Sequence, residues 1–245
     1  VLIHGGAIAL DDDELGATDA IVDAWFPATE GARALADALF GVFSPAGRTP
    51  VTWYKSTSDL PPLGRMDPRP NVSDPDSFPG ITYRFYSKDV LFPFGFGLSY
   101  THFEYAAVVA ASDRIAACDD MRITVTVRNA GAANSDEVIQ CYLKQPDASV
   151  PAPQVRLAAF HRVFIEAGKT AAVQLVVTPA ARAVVLGGPK GGDATGAAVF
   201  GAAASRAVEA GVVEVYCGGG QPDFFNGSVM TKVNVTSSSL LSACS

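Results

Sequence analysis

Few residues in this chain could do chemistry, and their spacing argues against most of it. Asp11-Asp12-Asp13-Glu14 is the one acidic cluster. Carboxylate oxygens suit a hard cation such as calcium, but the run lacks the spaced ligands and turn glycine of a calcium loop. A solvated helix start is the expected role, with acids at the positive end of the helix dipole. His4, His102 and His161 lie far apart, and a structural role is expected for each. Gly97-Leu98-Ser99 sits in a Gly/Phe-rich run without completing the G-x-S-x-G of a nucleophile elbow. Phosphate-loop and dinucleotide fingerprints are both missing, so Gly218-Gly219-Gly220 reads as a strand-end turn. The four cysteines form no C-x-x-C and histidine is too scarce for a zinc site, so no metal and no cofactor are expected. A working pair of carboxylates cannot be picked out by spacing, because the fold sets such pairs.

The chain that must position these groups has 245 residues, 49% apolar and 18% charged. That is long enough to bury a core and too apolar for disorder over most of its length. Length alone allows one large domain or two of ordinary size. A net charge of −7 without any Lys/Arg run argues against nucleic acid and against an anionic membrane surface. No apolar run reaches the ~18 residues of a membrane span. The opening, Val1-Leu2-Ile3 and then His4-Gly5-Gly6, reads as the end of a buried strand and its turn. A natural domain rarely starts there, so processing or a truncated gene is expected to have removed something upstream. Cys118, Cys141, Cys217 and Cys244 fit two disulfides in an oxidising compartment, and from the cysteines alone buried free thiols fit as well. Sequons at Asn71, Asn226 and Asn234 shift the reading to a secreted glycoprotein.

Residues 1–102 mix strand and helix signals. Ile21–Phe26, Thr49–Tyr54 and Ile81–Tyr86 read as short strands, with a Pro-rich loop over 61–79. Thr29 is a candidate helix cap. The helix then runs over 30–40, with one apolar stripe through Ala32, Leu35, Ala36, Leu39 and Phe40, and Gly41 as its stop. About four strands and one helix cannot cover both faces of an α/β sheet, so this part needs upstream elements or a partner surface. From residue 103 to 245 the period turns to two. Met121, Ile123, Val125 and Val127 alternate with Arg122, Thr124, Thr126 and Arg128. Strands are also expected over 138–143, 155–165, 172–177, 212–216 and 229–235, giving an antiparallel sandwich of immunoglobulin-like type. Gly187–Ala204 reads as an insertion or mobile loop, and Ser237–Ser242 as a frayed end.

The run Trp25-Phe26-Pro27, Glu30-Gly31, Ala36-Asp37, Leu39-Phe40-Gly41 and Ser44-Pro45-Ala46-Gly47-Arg48-Thr49-Pro50-Val51-Thr52-Trp53-Tyr54 resembles the C-terminal half of the α/β-sandwich domain of family 3 glycoside hydrolases. The likeness continues at Gly80–Tyr86 and Phe92–Thr101, and Val1–Gly6 resembles the strand and turn ahead of this block. Downstream, 125–131, 137–146 and 160–168 resemble the fibronectin type III-like domain that ends many of these proteins. Departures are local: Gly31-Ala32 stands for a double glycine, Pro27-Ala28 for Pro-Gly, and Thr49 for Leu. The loop Arg65–Pro70 is similar to the β-xylosidase and arabinofuranosidase branch rather than the β-glucosidases.

The resemblance implies a partial α/β sandwich (1–102) followed by an immunoglobulin/fibronectin type III-like sandwich (103–245). It also implies a retaining mechanism, with carboxyl groups about 5–5.5 Å apart acting on an oligosaccharide or aryl glycoside. The family's nucleophilic Asp lies on an N-terminal (β/α)8 barrel, and its acid/base Glu lies upstream of Val1. No catalytic residue is therefore expected here, and the barrel is the missing partner. The chain would act as scaffold, with His4, Arg65 and Arg69 as candidates for lining the interface and Glu30 and Asp37 capping, pairing or packing. Four cysteines allow three pairings. Cys118–Cys244 with Cys141–Cys217 is preferred, because the latter two sit in strands expected to be neighbours. A second reading is a carbohydrate-binding or structural module, for which Tyr216, Phe224 and Phe225 could form a platform. A third is a protein–protein role for the uncovered α/β part.

Overall fold

The computed structural model describes residues 2–3, 5–60, 68–70, 79–186 and 205–244. The first part holds β1 (Leu2–Ile3), α1 (Asp12–Gly16), β2 (Val22–Asp23), α2 (Gly31–Leu39), β3 (Trp53–Tyr54), α3 (Thr82–Phe85) and β4 (Val90–Phe92). β1 pairs β2 in parallel, and β3 pairs β4 antiparallel. The acidic cluster starts α1 through a capping box: Asp11 Oδ1 accepts from the Glu14 N–H at 2.8 Å, and Glu14 Oε2 from the Asp11 N–H at 3.0 Å. α2 stops where expected. Gly41 has φ +74°, and the Gly41 and Val42 N–H groups reach back to Ala38 and Asp37. Its start differs from the expected one. Glu30, not Thr29, flanks the first turn and makes no side-chain cap. Instead the Gly31 N–H bonds to Ala28 O at 2.9 Å, in a turn so tight that a Cβ on Gly31 would collide with Pro27. None of the stripe on α2 is buried: Leu39 is 58% and Phe40 88% exposed.

Ile81–Tyr86, expected as a strand, is a helical turn. Gly80 (φ +90°) and Thr82 (φ +62°) bend the chain into it. The three-residue step from Tyr83 to Tyr86 puts both rings on one side of a turn, whereas a strand would keep one parity inside. Tyr83 stacks on Phe94, and Tyr86 is buried.

The second part is a sandwich. Its strands are β5 (Phe103–Ala110), β6 (Arg114–Ile115), β7 (Met121–Asn129), β8 (Ser135–Lys144), β9 (Arg156–Ile165), β10 (Thr170–Val177), β11 (Val184–Leu186), β12 (Ser205–Val208), β13 (Gly211–Gly218), β14 (Val229–Val235) and β15 (Ser239–Leu240). Helix α4 (Pro179–Arg182) lies between β10 and β11. One sheet runs β10-β7-β5 and faces another, β6-β14-β13-β8-β9, with a small third sheet, β11-β12-β15. The inward residues of β7 are all buried, and with Ile139, Val177, Val213 and Val233 they form one core. β5 went unanticipated because a bulge between Tyr105 and Ala107 switches its inward parity from Tyr105 to Val108. The Ser-rich end is not frayed as expected. Ser239–Leu240 pairs with β12, and Cys244 is bonded to Cys118. Cys141 is bonded to Cys217 directly across β8 and β13. The expected insertion over 187–204 and most of the Pro-rich loop lie outside the described residues.

Candidate functional site at the seam between the two parts

Two loops of the first part, 46–49 and 93–97, are tied together where they meet the sandwich. The Thr49 N–H donates to Phe96 O (2.8 Å), and the Gly95 N–H to Thr49 O (2.7 Å). This clamp aims Arg48 into the sandwich. Its Nη2 meets Glu137 Oε2 at 2.7 Å, Nε reaches Gly219 O at 3.3 Å, and Nη1 stays with Ala46 O and Gly47 O. The other Glu137 oxygen accepts from the Tyr105 hydroxyl at 2.6 Å. Three residues along β8, Gln140 Nε2 donates to both Gly95 O and Gly219 O at 3.0 Å, while its Oε1 accepts from the Tyr142 hydroxyl at 2.7 Å. Gln221 Nε2 adds a bond to Phe94 O. Aromatic rings close one side: Tyr83 stacks on Phe94 with centroids 4.2 Å apart and meets Tyr142 edge-on. The Tyr83 hydroxyl accepts from the Leu157 N–H at 3.1 Å.

The seam is buried and its charges are paired. Side-chain exposure is 2% for Glu137 and 10% for Arg48. Burial lifts the Glu137 carboxyl above its ordinary range, and the Arg48 charge and Tyr105 hydroxyl pull it back only in part. Burial and the Glu137 charge push the Tyr105 hydroxyl well above 10. Both Glu137 oxygens are engaged, one by Arg48 and the other by Tyr105, so this carboxylate joins two parts of the fold. Glycine is required at 95, where φ is +79° and a Cβ would collide with Gln140 Oε1 and the Tyr142 hydroxyl. Gly95→Ala is expected to cost about 1–3 kcal/mol, from the backbone and the forced displacement of two buried polar groups. A thermal melt of the variant checks this, and an unchanged midpoint would show that the seam yields freely.

The expected site residues are scattered with respect to this seam. His4, Arg65 and Asn71 lie outside the described residues. Arg69 is half-buried and has an interaction partner. Asn226 is exposed in the turn before β14, whereas Asn234 is half-buried in β14 between β6 and β13. His102 and His161 are exposed, with His102 Nε2 3.7 Å from Glu104. Gly218 ends β13, and Gly219 turns its carbonyl to Arg48 and Gln140. Asp37 pairs with Arg33 at 3.8 Å. Phe225 packs inward against Tyr105 while Phe224 faces solvent, so the three-ring platform does not form. Among the described residues, no group of three or more His, Cys, Asp or Glu could hold a metal ion, and no helix is long and apolar enough to cross a membrane. Arg48, Glu137 and Gln140 were not anticipated. A signal for Glu137 existed: it shares parity with Ile139, Cys141 and Leu143, and a charge on the apolar parity needs a buried partner.

Residues 1–100 match the glycosyl hydrolase family 3 C-terminal domain, and residues 137–188 a fibronectin type III-like domain. A xylan 1,4-beta-xylosidase from Xylanibacter ruminicola is 44% identical over 179 residues, covering 71% of this chain and 18% of that protein. A beta-glucosidase from Rhizobium radiobacter is 34% identical over 194 residues, covering 73% of this chain and 22% of that protein. A solved beta-glucosidase from Bifidobacterium adolescentis aligns with TM-score 0.73 at 26% identity, over 96% of this chain and 32% of that one. The chain thus spans less than a quarter of the length of these two curated relatives.

Proposed function

We propose that this chain, which belongs to family 3 of the glycoside hydrolases and carries their C-terminal part, is the non-catalytic scaffold of a retaining, exo-acting glycosidase. The observation that carries this reading is an imbalance in packing. The sandwich has a closed core, whereas among the described residues the first part has a small cluster around Ile3, Leu10 and Trp53, with Ala46 and Tyr86 buried outside it. Phe26 (81%), Phe40 (88%) and Val42 (72%) face water on the same part. Exposed apolar surface of this kind marks a contact. In the proposed enzyme a barrel domain covers it and brings the nucleophile and the acid/base group, with His4, Arg65 and Arg69 lining the contact. The seam would hold the uncovered part (1–102) in fixed orientation on the sandwich (103–245).

A β-xylosidase is favoured over a β-glucosidase, acting on oligosaccharides or aryl glycosides in xylan breakdown. Support comes from the higher identity to the xylosidase relative and from the loop 65–70. Two disulfides and sequons at Asn71, Asn226 and Asn234 support a secreted glycoprotein. The test is hydrolysis of aryl β-xyloside and β-glucoside by the purified 245-residue chain. No turnover above a buffer blank is expected. Turnover that survives repurification would place a catalytic carboxylate within this chain and end the scaffold reading.

A further inference from the structure

Beside the seam, and sharing Tyr83 and Gln221 with it, lies a cleft of about 250 Å³. That is just below the ~300–1,000 Å³ of pockets for drug-sized ligands, a size suited to a single ring. The first part supplies Thr52, Tyr86, Ser87 and Asp89; the sandwich supplies Gln154, Asp223 and Phe224.

Its floor carries unmade hydrogen bonds. Tyr86 is 6% exposed, and neither its hydroxyl nor the buried Thr52 hydroxyl has a hydrogen-bond partner. Buried polar groups are rarely left so. Burial, then the charges of Asp59, Tyr54 and Asp89, push the Tyr86 hydroxyl up to about 12, so it stays a donor at neutral pH. At the wall stands an apolar ring that packing does not explain. The Phe224 N–H is fixed to Gln221 O at 3.0 Å, and the ring is 55% exposed. The charges around the cleft are mixed, with Lys88 also on its lining. Asp223 pairs with Lys144 at 3.0 Å and Asp89 with Lys55 at 3.3 Å, which leaves carboxylate oxygens able to accept without an excess of negative charge.

We propose that this cleft binds one ring of a neutral pyranoside. The C–H face of a sugar ring would lie on Phe224, as apolar groups do on aromatic faces. Its hydroxyls would donate to Asp89 and Asp223 and pair with the Gln154 amide and the Tyr86 hydroxyl. Donors and acceptors of both kinds on the lining suit a ligand rich in hydroxyls; the choice of a sugar rests on the glycosidase reading above.

The experiment is a ¹H–¹⁵N NMR titration of the full chain with xylobiose and, separately, cellobiose. Saturable shifts at the Phe224, Asp223 and Gln154 amides are expected, with a Kd of about 1 mM. Phe224→Ala should weaken binding about tenfold. Because that ring is exposed, the melting temperature should not change. Tyr86→Phe, which keeps the ring and removes only the unpartnered hydroxyl, should also weaken binding without lowering stability. No saturable shift with either disaccharide at about 50 mM would overturn the proposal, as would unaltered affinity in Phe224→Ala. A chain that binds neither sugar and hydrolyses nothing loses this site and keeps the scaffold reading. A chain that binds sugar and also turns over aryl glycoside keeps the site and loses that reading.

Discussion

Replacing Arg48 by methionine is expected to cost about 3–5 kcal/mol at neutral pH, the usual result of leaving one member of a buried ion pair without the other. Glu137 would keep the Tyr105 hydroxyl as a donor but lose the cation paired with it, at a side chain 2% exposed. The penalty should depend on pH, and its sign follows from the direction of the shift. Burial already holds the folded-state value above the ordinary 4.5, and removal of Arg48 moves it further up. A raised value favours the protonated folded state. The contribution of this group is therefore present below the unfolded value and lost as pH rises through the folded one. The gap in melting temperature between the variant and the parent should accordingly shrink on acidification toward pH 4. Adding Glu137→Gln to Arg48→Met should recover much of the loss at neutral pH, because the amide oxygen still accepts from Tyr105 and no charge remains. A double-mutant cycle reads the coupling directly. A pH-independent deficit with no recovery would mean that Arg48 acts through packing of its aliphatic stem.

What could be read from the residues depended on whether a signal was local. β7 was plain because five inward positions of one strand repeat at a strict period of two, from Met121 to Asn129. The end of α2 was plain because Gly41 is demanded by backbone geometry at that single position. The start of α2 was misplaced at Thr29 because the close approach of Gly31 to Pro27 overrides the local preference for a hydroxyl cap. β5 escaped because one bulged residue cancels the alternation that a strand search relies on. Ile81–Tyr86 misled in the opposite sense: its aromatic, alternating run suits a strand, yet the turn is set by contacts with Phe94 and Tyr54 on other segments. The seam was the least legible feature. Arg48 and Glu137 stand 89 residues apart and Gln140 and Gly219 79 apart, so nothing but the assembled fold brings them together.

The other large effect is expected at Cys141 and Cys217. Exchanging both for alanine should cost about 2–5 kcal/mol from loss of the cross-link. Exchanging Cys118 and Cys244 opens a loop of 126 residues instead of 76, a difference below the ~0.6 kcal/mol that a doubling of loop length brings. Loop entropy therefore does not separate the two bridges; surroundings do. Both sulfurs of the inner bridge are fully buried in the core, whereas Cys118 is exposed. Deleting each buried sulfur should add roughly 1 kcal/mol for the lost burial. Position matters as well. Cys141 lies between Gln140 and Tyr142 on β8, and Cys217 lies two residues before Gly219. The inner bridge thus fastens together the two strands that present Gln140, Tyr142 and the Gly219 carbonyl to the first part of the chain. Its loss should lower the melting temperature more than loss of the outer bridge, and should open the seam to protease before the sandwich unfolds. Limited trypsin digestion, followed at the Arg48 peptide bond in both double variants, separates the cases. Early cleavage there in the Cys141→Ala/Cys217→Ala chain alone is the expected result. Equal cleavage in both variants would mean that the seam draws its rigidity from Arg48 and Glu137 without help from the bridge behind them.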